Sequence, residues 1–318
     1  MITTLAAMML ASVAVQSPAS TNSEVTAPGP SGALKGTLTD PGKRGEPIIL
    51  IVPGSGPTDR DGNNRLGVAA STYSLLAEAL AKDGIASVRI DKRGMFGSAA
   101  AIADANAVTI NDYAADVHAW IRLIIQRTGT RCVWVLGHSE GGLVALQAAQ
   151  RSDGICGLIL VATPGRPMGD ILKAQLRANP ANAPLLPDAD RAIDTLAAGA
   201  RVDPATLPAP LRSLFPSVVQ GFLVSAFALD PAQLIKSVRL PVLILQGTRD
   251  LQVEMTDAQR LATAKPDAKL VELADVNHVL KPVASSDRAA NLATYTATGL
   301  PLAPAVTLAI GAFVGQFR

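Results

Sequence analysis

Aromatic residues are scarce: two Trp, three Tyr and six Phe make up 3% of the chain. That argues against a stacking platform for bases or sugar rings and points to an aliphatic pocket. Charged residues are also few, 17% with both signs mixed and a net charge of +2. No basic run stands out, so nothing marks a nucleic-acid surface. No internal repeat is visible. There are only three histidines and two cysteines, so a search for a catalytic base reduces to elimination. What remains is aliphatic. A hydrophobic content of 48% over 318 residues allows a sizeable core, in one large α/β domain or two small ones.

Residues 1–15, MITTLAAMMLASVAV, form an apolar run too short to span a membrane. The run fits a signal-peptide core, with small residues at Ser12, Ala14, Ser17 and Ala19 for cleavage, although no Lys or Arg precedes it. Periplasmic or secreted residence is the expectation, with the cytoplasm as the alternative, and no stable membrane insertion after signal removal. Residues 16–30, rich in Ser, Pro, Thr and Gly, read as a linker that packs against nothing. Removal of residues 1–25 is therefore expected to leave the fold intact. Cys132 and Cys156 each open an expected strand, and those strands are expected to be neighbours. A disulfide suited to an exported protein and two buried free thiols are both compatible with that placement.

The chain is organised around residues 131–149, RCVWVLGHSEGGLVALQAA. A short apolar run leads into Gly137-His138-Ser139-Glu140-Gly141-Gly142, and an Ala/Leu-rich stretch with helical spacing follows. Strand, tight turn and helix in that order, with a glycine-bracketed serine at the apex, give the G-x-S-x-G pattern its meaning. Gly137 and Gly141 remove Cβ atoms where strand and helix crowd together, and Gly142 lets the helix approach the sheet. The turn presents the Ser139 hydroxyl and leaves the Glu140 N–H at a helix start, able to bind an oxyanion.

Around this stretch strands alternate with helices. Strands are expected at 33–39, 47–53, 85–90, 155–162, 241–246 and 269–273, and helices at 71–82, 110–126, 256–264 and 304–317. Continuous aliphatic runs such as Ile48-Ile49-Leu50-Ile51-Val52 indicate parallel strands covered on both faces. The alternation indicates a parallel sheet with right-handed crossovers. From 164 to 236 the strands disappear, and Pro-punctuated helical pieces at 169–178, 188–200 and 216–229 read as an insertion over the strand ends.

A serine nucleophile needs a base, and the base an orienting acid. His138 adjoins the serine, but the turn sends its side chain elsewhere, and it reads as packing behind the turn. His118 lies mid-helix and reads as a surface or packing residue. His278 remains, in a loop just after the last expected strand. Asp250, in GTRD after the penultimate strand, is the expected acid, giving the chain order Ser139, Asp250, His278. Asp275 and Glu254 are its rivals. For the oxyanion, Glu140 supplies one N–H and the loop after Val52 the other, from Ser55 or alternatively Gly56. Further along that loop, Asp59, Arg60 and Asp61 are expected to pair with Arg89 or Arg93 and so support the oxyanion loop. A solvated charged loop and a metal site are the alternatives there.

These residues resemble the α/β-hydrolase superfamily. More narrowly, VPGSGPTDRDG, RIDKRGMFGS and GHSEGG resemble a bacterial carboxylesterase subgroup with a GSGPxDRDG loop. Many superfamily members carry His-Gly where this chain has Pro53-Gly54. The resemblance implies an α/β-hydrolase fold: a mostly parallel sheet of about eight strands flanked by helices. Residues 26–163 and 237–318 would form its core and 164–236 a helical cap carrying the substrate preferences, with 1–25 as signal peptide and linker. It also implies a serine carboxylesterase with Ser139, Asp250 and His278 as triad, a small-molecule ester as substrate, and neither cofactor nor metal. A peptidase, amidase or acyltransferase could use the same triad, and a binding protein could keep the fold without turnover.

Overall fold

The computed structural model describes residues 20–42 and 45–317. The expected signal-peptide core therefore lies outside the described residues. Among the described residues, eight strands form one sheet in the order β1-β2-β4-β3-β5-β6-β7-β8. These are β1 (Thr21–Pro28), β2 (Ala33–Asp40), β3 (Ile48–Val52), β4 (Ala86–Ile90), β5 (Val133–His138), β6 (Ile155–Val161), β7 (Val242–Gly247) and β8 (Lys269–Leu273). The β1–β2 and β2–β4 pairs are antiparallel, and the other five pairings are parallel. The fold is thus the mostly parallel eight-stranded α/β sheet expected from the sequence.

β1 corrects the linker expectation. Residues 21–28 pair along their whole length with β2, from Thr21 opposite Asp40 to Pro28 opposite Ala33. Only Val25 and Ala27 of this strand are buried. An edge strand needs no more than that, because its main-chain hydrogen bonds attach it and alternate side chains stay in water. Composition rich in Ser, Thr and Pro concealed a two-residue apolar face.

The central strands β3, β4, β5 and β7 are buried at every position, and alternate side chains enter opposite layers. Leu50, Val52, Val88 and Val135 pack on one face with α2 (Ile110–Thr128) and α3 (Glu140–Ala148). Ile49, Ile51, Trp134 and Leu136 pack on the other with α1 (Thr72–Lys82) and α10 (Pro304–Val314). α2 is bounded by sequence-readable signals. Thr109 and Asp112 form a reciprocal capping box, and Gly129 ends the helix at φ 74°.

The strand-free segment holds α4 (Met168–Arg177), α5 (Leu186–Ala197), α6 (Ala209–Arg212), α7 (Gln220–Phe227) and α8 (Pro231–Ser237). Its start is pinned by Asp257, a fully buried carboxylate on α9 (Met255–Ala264). Asp257 accepts from the amides of Gly165 and Arg166 at 3.1 and 3.2 Å and from the Arg166 guanidinium at 2.7 and 2.9 Å. α7 then packs on α2, with the Tyr113 and Phe222 rings 5.6 Å apart.

At the N-terminal ends of β5 and β6, Cys132 and Cys156 are joined by a disulfide, with Cα atoms 5.1 Å apart. Of the two states the sequence allowed, the bridged one is present.

Candidate active site

Four loops at the C-terminal ends of β3, β5, β7 and β8 converge on a cavity of about 140 Å³. Ser139 lies between β5 and α3, with φ 54° and ψ −122°. This is a strained backbone position for a residue with a side chain. The neighbouring glycines make the turn possible. A Cβ on Gly137 would sit 2.2 Å from the carbonyl oxygen of Gly141, and one on Gly142 would sit 2.0 Å from Thr163 Oγ1 at the end of β6. Strand and helix therefore crowd as the sequence suggested, and Gly142 admits the neighbouring strand end.

His278 follows β8 and is 5% exposed. Its Nδ1 donates to Asp250 Oδ2 at 2.8 Å, which leaves Nε2 as the basic nitrogen. Asp250 follows β7. Its Oδ1 accepts from the amides of Gln252 and Val253 at 2.8 and 3.0 Å, and its Oδ2 from Gln246 Nε2 at 3.2 Å. Burial pushes the Asp250 carboxyl upward, but the imidazole and the two amides outweigh burial and hold it below the usual carboxylate range. The rivals lie elsewhere. Asp275 is exposed and pairs with Arg249 at 3.0 Å, and Glu254 is an exposed partner of Arg166 at 3.5 Å. Ser139 and His278 both line the cavity.

His138 is buried beside the serine rather than turned away from the site. Its Nε2 donates to the carbonyl of His278 at 2.9 Å, so its Nδ1 accepts from the Tyr73 hydroxyl at 2.9 Å. The two imidazole rings are 4.8 Å apart. Burial, reinforced by repulsion from a charged His278, brings the His138 ring down to about 3. It is a neutral positioning group, not a second base. His118 is buried on α2 and bonds the Ala148 carbonyl at 3.0 Å.

The loop after β3 is fixed at both ends. Gly54 donates its N–H to Tyr73 Oη at 2.9 Å and accepts at its carbonyl from Lys92 Nζ at 2.7 Å. The amides of Ser55 and Glu140 have no hydrogen-bond acceptor among the described residues, and Ser55 lines the cavity. Gly56, the alternative donor, is not among the lining residues. Arg60 binds Asp91 through its amide at 2.9 Å and its guanidinium at 2.9 and 2.7 Å. Asp61 pairs with Arg89. Asp59 turns inward on its own loop and accepts from the amides of Asp61 and Asn63, each at 2.9 Å.

Arg93 does not join this loop, contrary to expectation. It binds Asp116 at 2.6 and 2.7 Å and Asp112 at 3.0 Å, two carboxylates one turn apart on α2. A planar guanidinium finds more acceptors there than the charged loop offers.

The sequence had also pointed to an aliphatic pocket. The walls instead mix Val68 and Val279 with Tyr73, Tyr295, Asn64 and Gln252, and no residue of 164–236 lines the cavity. Tyr73, Lys92 and the Glu140 side chain escaped sequence reasoning. Their only signals were a Tyr on an apolar helix face and a charged triplet ending a buried strand. An oriented imidazole, a serine on a strained turn and the unengaged Ser55 amide at one cavity, with the unengaged Glu140 amide next in the chain to that serine, are the groups that acyl transfer needs.

Comparison with known proteins places this geometry in a family. The chain matches the family described as Serine aminopeptidase, S33 (Hydrolase_4) over residues 63–280. It is 26% identical over 259 residues to Esterase EstD of Thermotoga maritima, covering 78% of this chain and 58% of that protein. The chain thus spans little more than half the length of that relative. Among solved structures it is similar to proline iminopeptidase from Mycobacterium smegmatis (TM-score 0.61, 18% identity, 92% of this chain and 98% of that one). It is similar also to Est1E from Butyrivibrio proteoclasticus (TM-score 0.56, 17% identity, 92% and 98% covered). At these identities the two structures speak for the fold. With the family match spanning more than half of its residues, the chain belongs to the serine aminopeptidase S33 family of the α/β-hydrolase superfamily.

Proposed function

We propose that the protein is a serine carboxylesterase of the bacterial subgroup with a GSGPxDRDG loop. The observation that carries this is the Asp250–His278 hydrogen bond at 2.8 Å, opening on the cavity that Ser139 also lines. His278 Nε2 takes the Ser139 hydroxyl proton as Oγ bonds to the ester carbonyl carbon. The amides of Ser55 and Glu140 hold the resulting oxyanion. The imidazolium then gives its proton to the alcohol oxygen as the C–O bond breaks. Water, deprotonated by the same nitrogen, releases the acid from Ser139.

A neutral ester of short to medium acyl chain suits this cavity best. Its volume of about 140 Å³ is close to that of a cavity able to hold a benzene ring. None of its described lining residues is Asp or Glu. An aminopeptidase, the activity in the family's description, must accommodate a substrate ammonium, and such a group would be desolvated here without a counter-charge. The name of the Thermotoga relative also favours an esterase. Export belongs to the same proposal, and the Cys132–Cys156 disulfide supports an oxidising compartment.

The test is a phosphonate activity probe with mass mapping, followed by a panel of p-nitrophenyl esters and aminoacyl p-nitroanilides. Labelling at Ser139 with turnover of short esters is expected. Turnover of the anilides alone would replace this reading with the peptidase one, and a folded protein that neither labels nor turns over would leave a binding protein.

A further inference from the structure

Lys92 carries three contacts beneath the nucleophile that the proposed chemistry does not itself require. Its side chain is 3% exposed and its partner Glu140 is 4% exposed. Nζ donates to the Gly54 carbonyl at 2.7 Å and to Glu140 Oε1 at 3.1 Å, and it lies 5.5 Å from the centre of the Tyr113 ring. A buried ion pair is weak evidence for stability, because desolvation offsets most of its attraction. Its placement is the informative feature.

The Gly54 carbonyl and the Ser55 N–H belong to one peptide unit. No described peptide is cis, so the N–H points opposite to the carbonyl. An ammonium on the carbonyl oxygen therefore fixes where the Ser55 N–H aims, and it polarises that N–H toward a stronger donor. The same ammonium holds the side chain of Glu140, the residue whose own N–H is the other unengaged amide. Gly54 sits close against the nucleophile, since a Cβ there would lie 3.3 Å from Ser139 Cβ. Tyr73 secures the other side of Gly54 through its N–H.

We propose that Lys92 is a positioning residue that aligns and polarises both oxyanion donors at once, through the Gly54 carbonyl and the Glu140 carboxylate. This inference rests on the esterase reading above. Lys92 touches no reacting atom. It sets the Ser55 and Glu140 amides before the substrate arrives, so its effect falls on the tetrahedral state and not on ester binding.

The test uses the full-length enzyme and the paired variant Lys92→Met with Glu140→Gln, which removes both charges together and keeps the Glu140 backbone amide. Neutralising both members of a buried pair is usually tolerated by the fold. The expected result is a native melting temperature and kcat lower by about 10²-fold, comparable to losing one oxyanion donor. KM should stay within about threefold, and inhibition by a trifluoromethyl ketone, which forms an oxyanion on Ser139, should weaken by the same factor as kcat. Lys92→Gln with Glu140→Gln restores a neutral donor toward Gly54 and should recover part of both losses. It also provides the same readouts if the first pair does not fold.

Wild-type kcat and ketone affinity in a folded pair would overturn the proposal, as would a loss confined to KM. Failure of both pairs to fold would overturn it too, by making the lysine structural. A wild-type protein that neither labels at Ser139 nor cleaves esters would instead sink the esterase reading, and this inference with it.

Discussion

The two ends of the parallel sheet are built on opposite principles. At the C-terminal end a serine is held at φ 54°, and His138, His278, Lys92, Glu140 and Asp91 are buried polar groups, each tied to named partners. At the N-terminal end of β5 and β6 there is a covalent staple, Cys132–Cys156, closing a sequence separation of 24 residues. Strain and buried polarity lower stability locally and serve a site, while a crosslink limits the unfolded chain and serves no chemistry. The contrast predicts that damage at one end reads out in turnover and damage at the other in melting temperature.

The largest effects should come from the reacting groups. Ser139→Ala and His278→Ala should each lower kcat by about 10⁶-fold, as loss of a nucleophile or base does elsewhere, while far-UV circular dichroism and melting temperature stay native. Retained ester turnover in either variant would erase the distinction between the two ends. Asp250→Asn should cost about 10⁴-fold in kcat, since an amide in place of the carboxylate favours the wrong imidazole tautomer. Asp275→Asn removes only a surface pair with Arg249 and should leave kcat nearly unchanged. The reverse ranking would move the acid to Asp275.

At the opposite end, replacing both cysteines by serine should leave kcat and KM as they are. Stability should fall by about 3 kcal/mol from the reopened loop, and the melting temperature by about 5 °C. A matching loss of kcat would mean that the staple also shapes the site, and the contrast would fail. Deleting residues 20–28 should likewise lower the melting temperature and spare kcat, because it exposes the edge of β2 and the packing around Val25 and Ala27.

What was legible in the sequence follows the range of the interactions. The serine turn was legible because strand, glycines and helix lie within one short stretch, and the crowding of Gly137 against Gly141 that shapes it is local. His278 was legible because histidine is rare. The contacts that hold the site were not, since each joins residues far apart in the chain: Tyr73 to Gly54, Lys92 to Gly54 and Lys92 to Glu140 are separated by 19, 38 and 48 positions. Nothing local chooses among Arg89, Lys92 and Arg93 for a given carboxylate. Arg89, within β4, reaches Asp61, whereas Lys92 and Arg93, beyond the strand, reach Glu140 and α2. β1 was missed for the complementary reason. An edge strand is held by main-chain hydrogen bonds, which composition does not report.

The smallest predicted effect belongs to His138, where the active end should show its cost in stability. Burial holds this ring at about 3 in the folded protein, against an ordinary 6.5. Above pH 6.5 the ring is neutral in both states and contributes no slope. Below it the unfolded chain takes up a proton that the folded protein refuses, so stability falls as pH falls, by up to about 1.4 kcal/mol per pH unit. Between pH 6.5 and 5 the loss should reach about 2 kcal/mol. Asp250, whose carboxyl is depressed, acts on the other side of that window. Its contribution is intact above the usual carboxylate value and is lost only as pH falls through its lowered one. His118, also lowered by burial, adds a slope of the same sign, but it is common to wild type and variant and drops out of their difference. His138→Gln keeps a neutral donor and acceptor between Tyr73 and the His278 carbonyl without the titration. Denaturant melts at several pH values should therefore show a flatter acid limb for the variant between pH 6.5 and 5. Parallel limbs would mean that His138 protonates in the folded protein, and that the dry, neutral link between the nucleophile turn and the base loop opens to water.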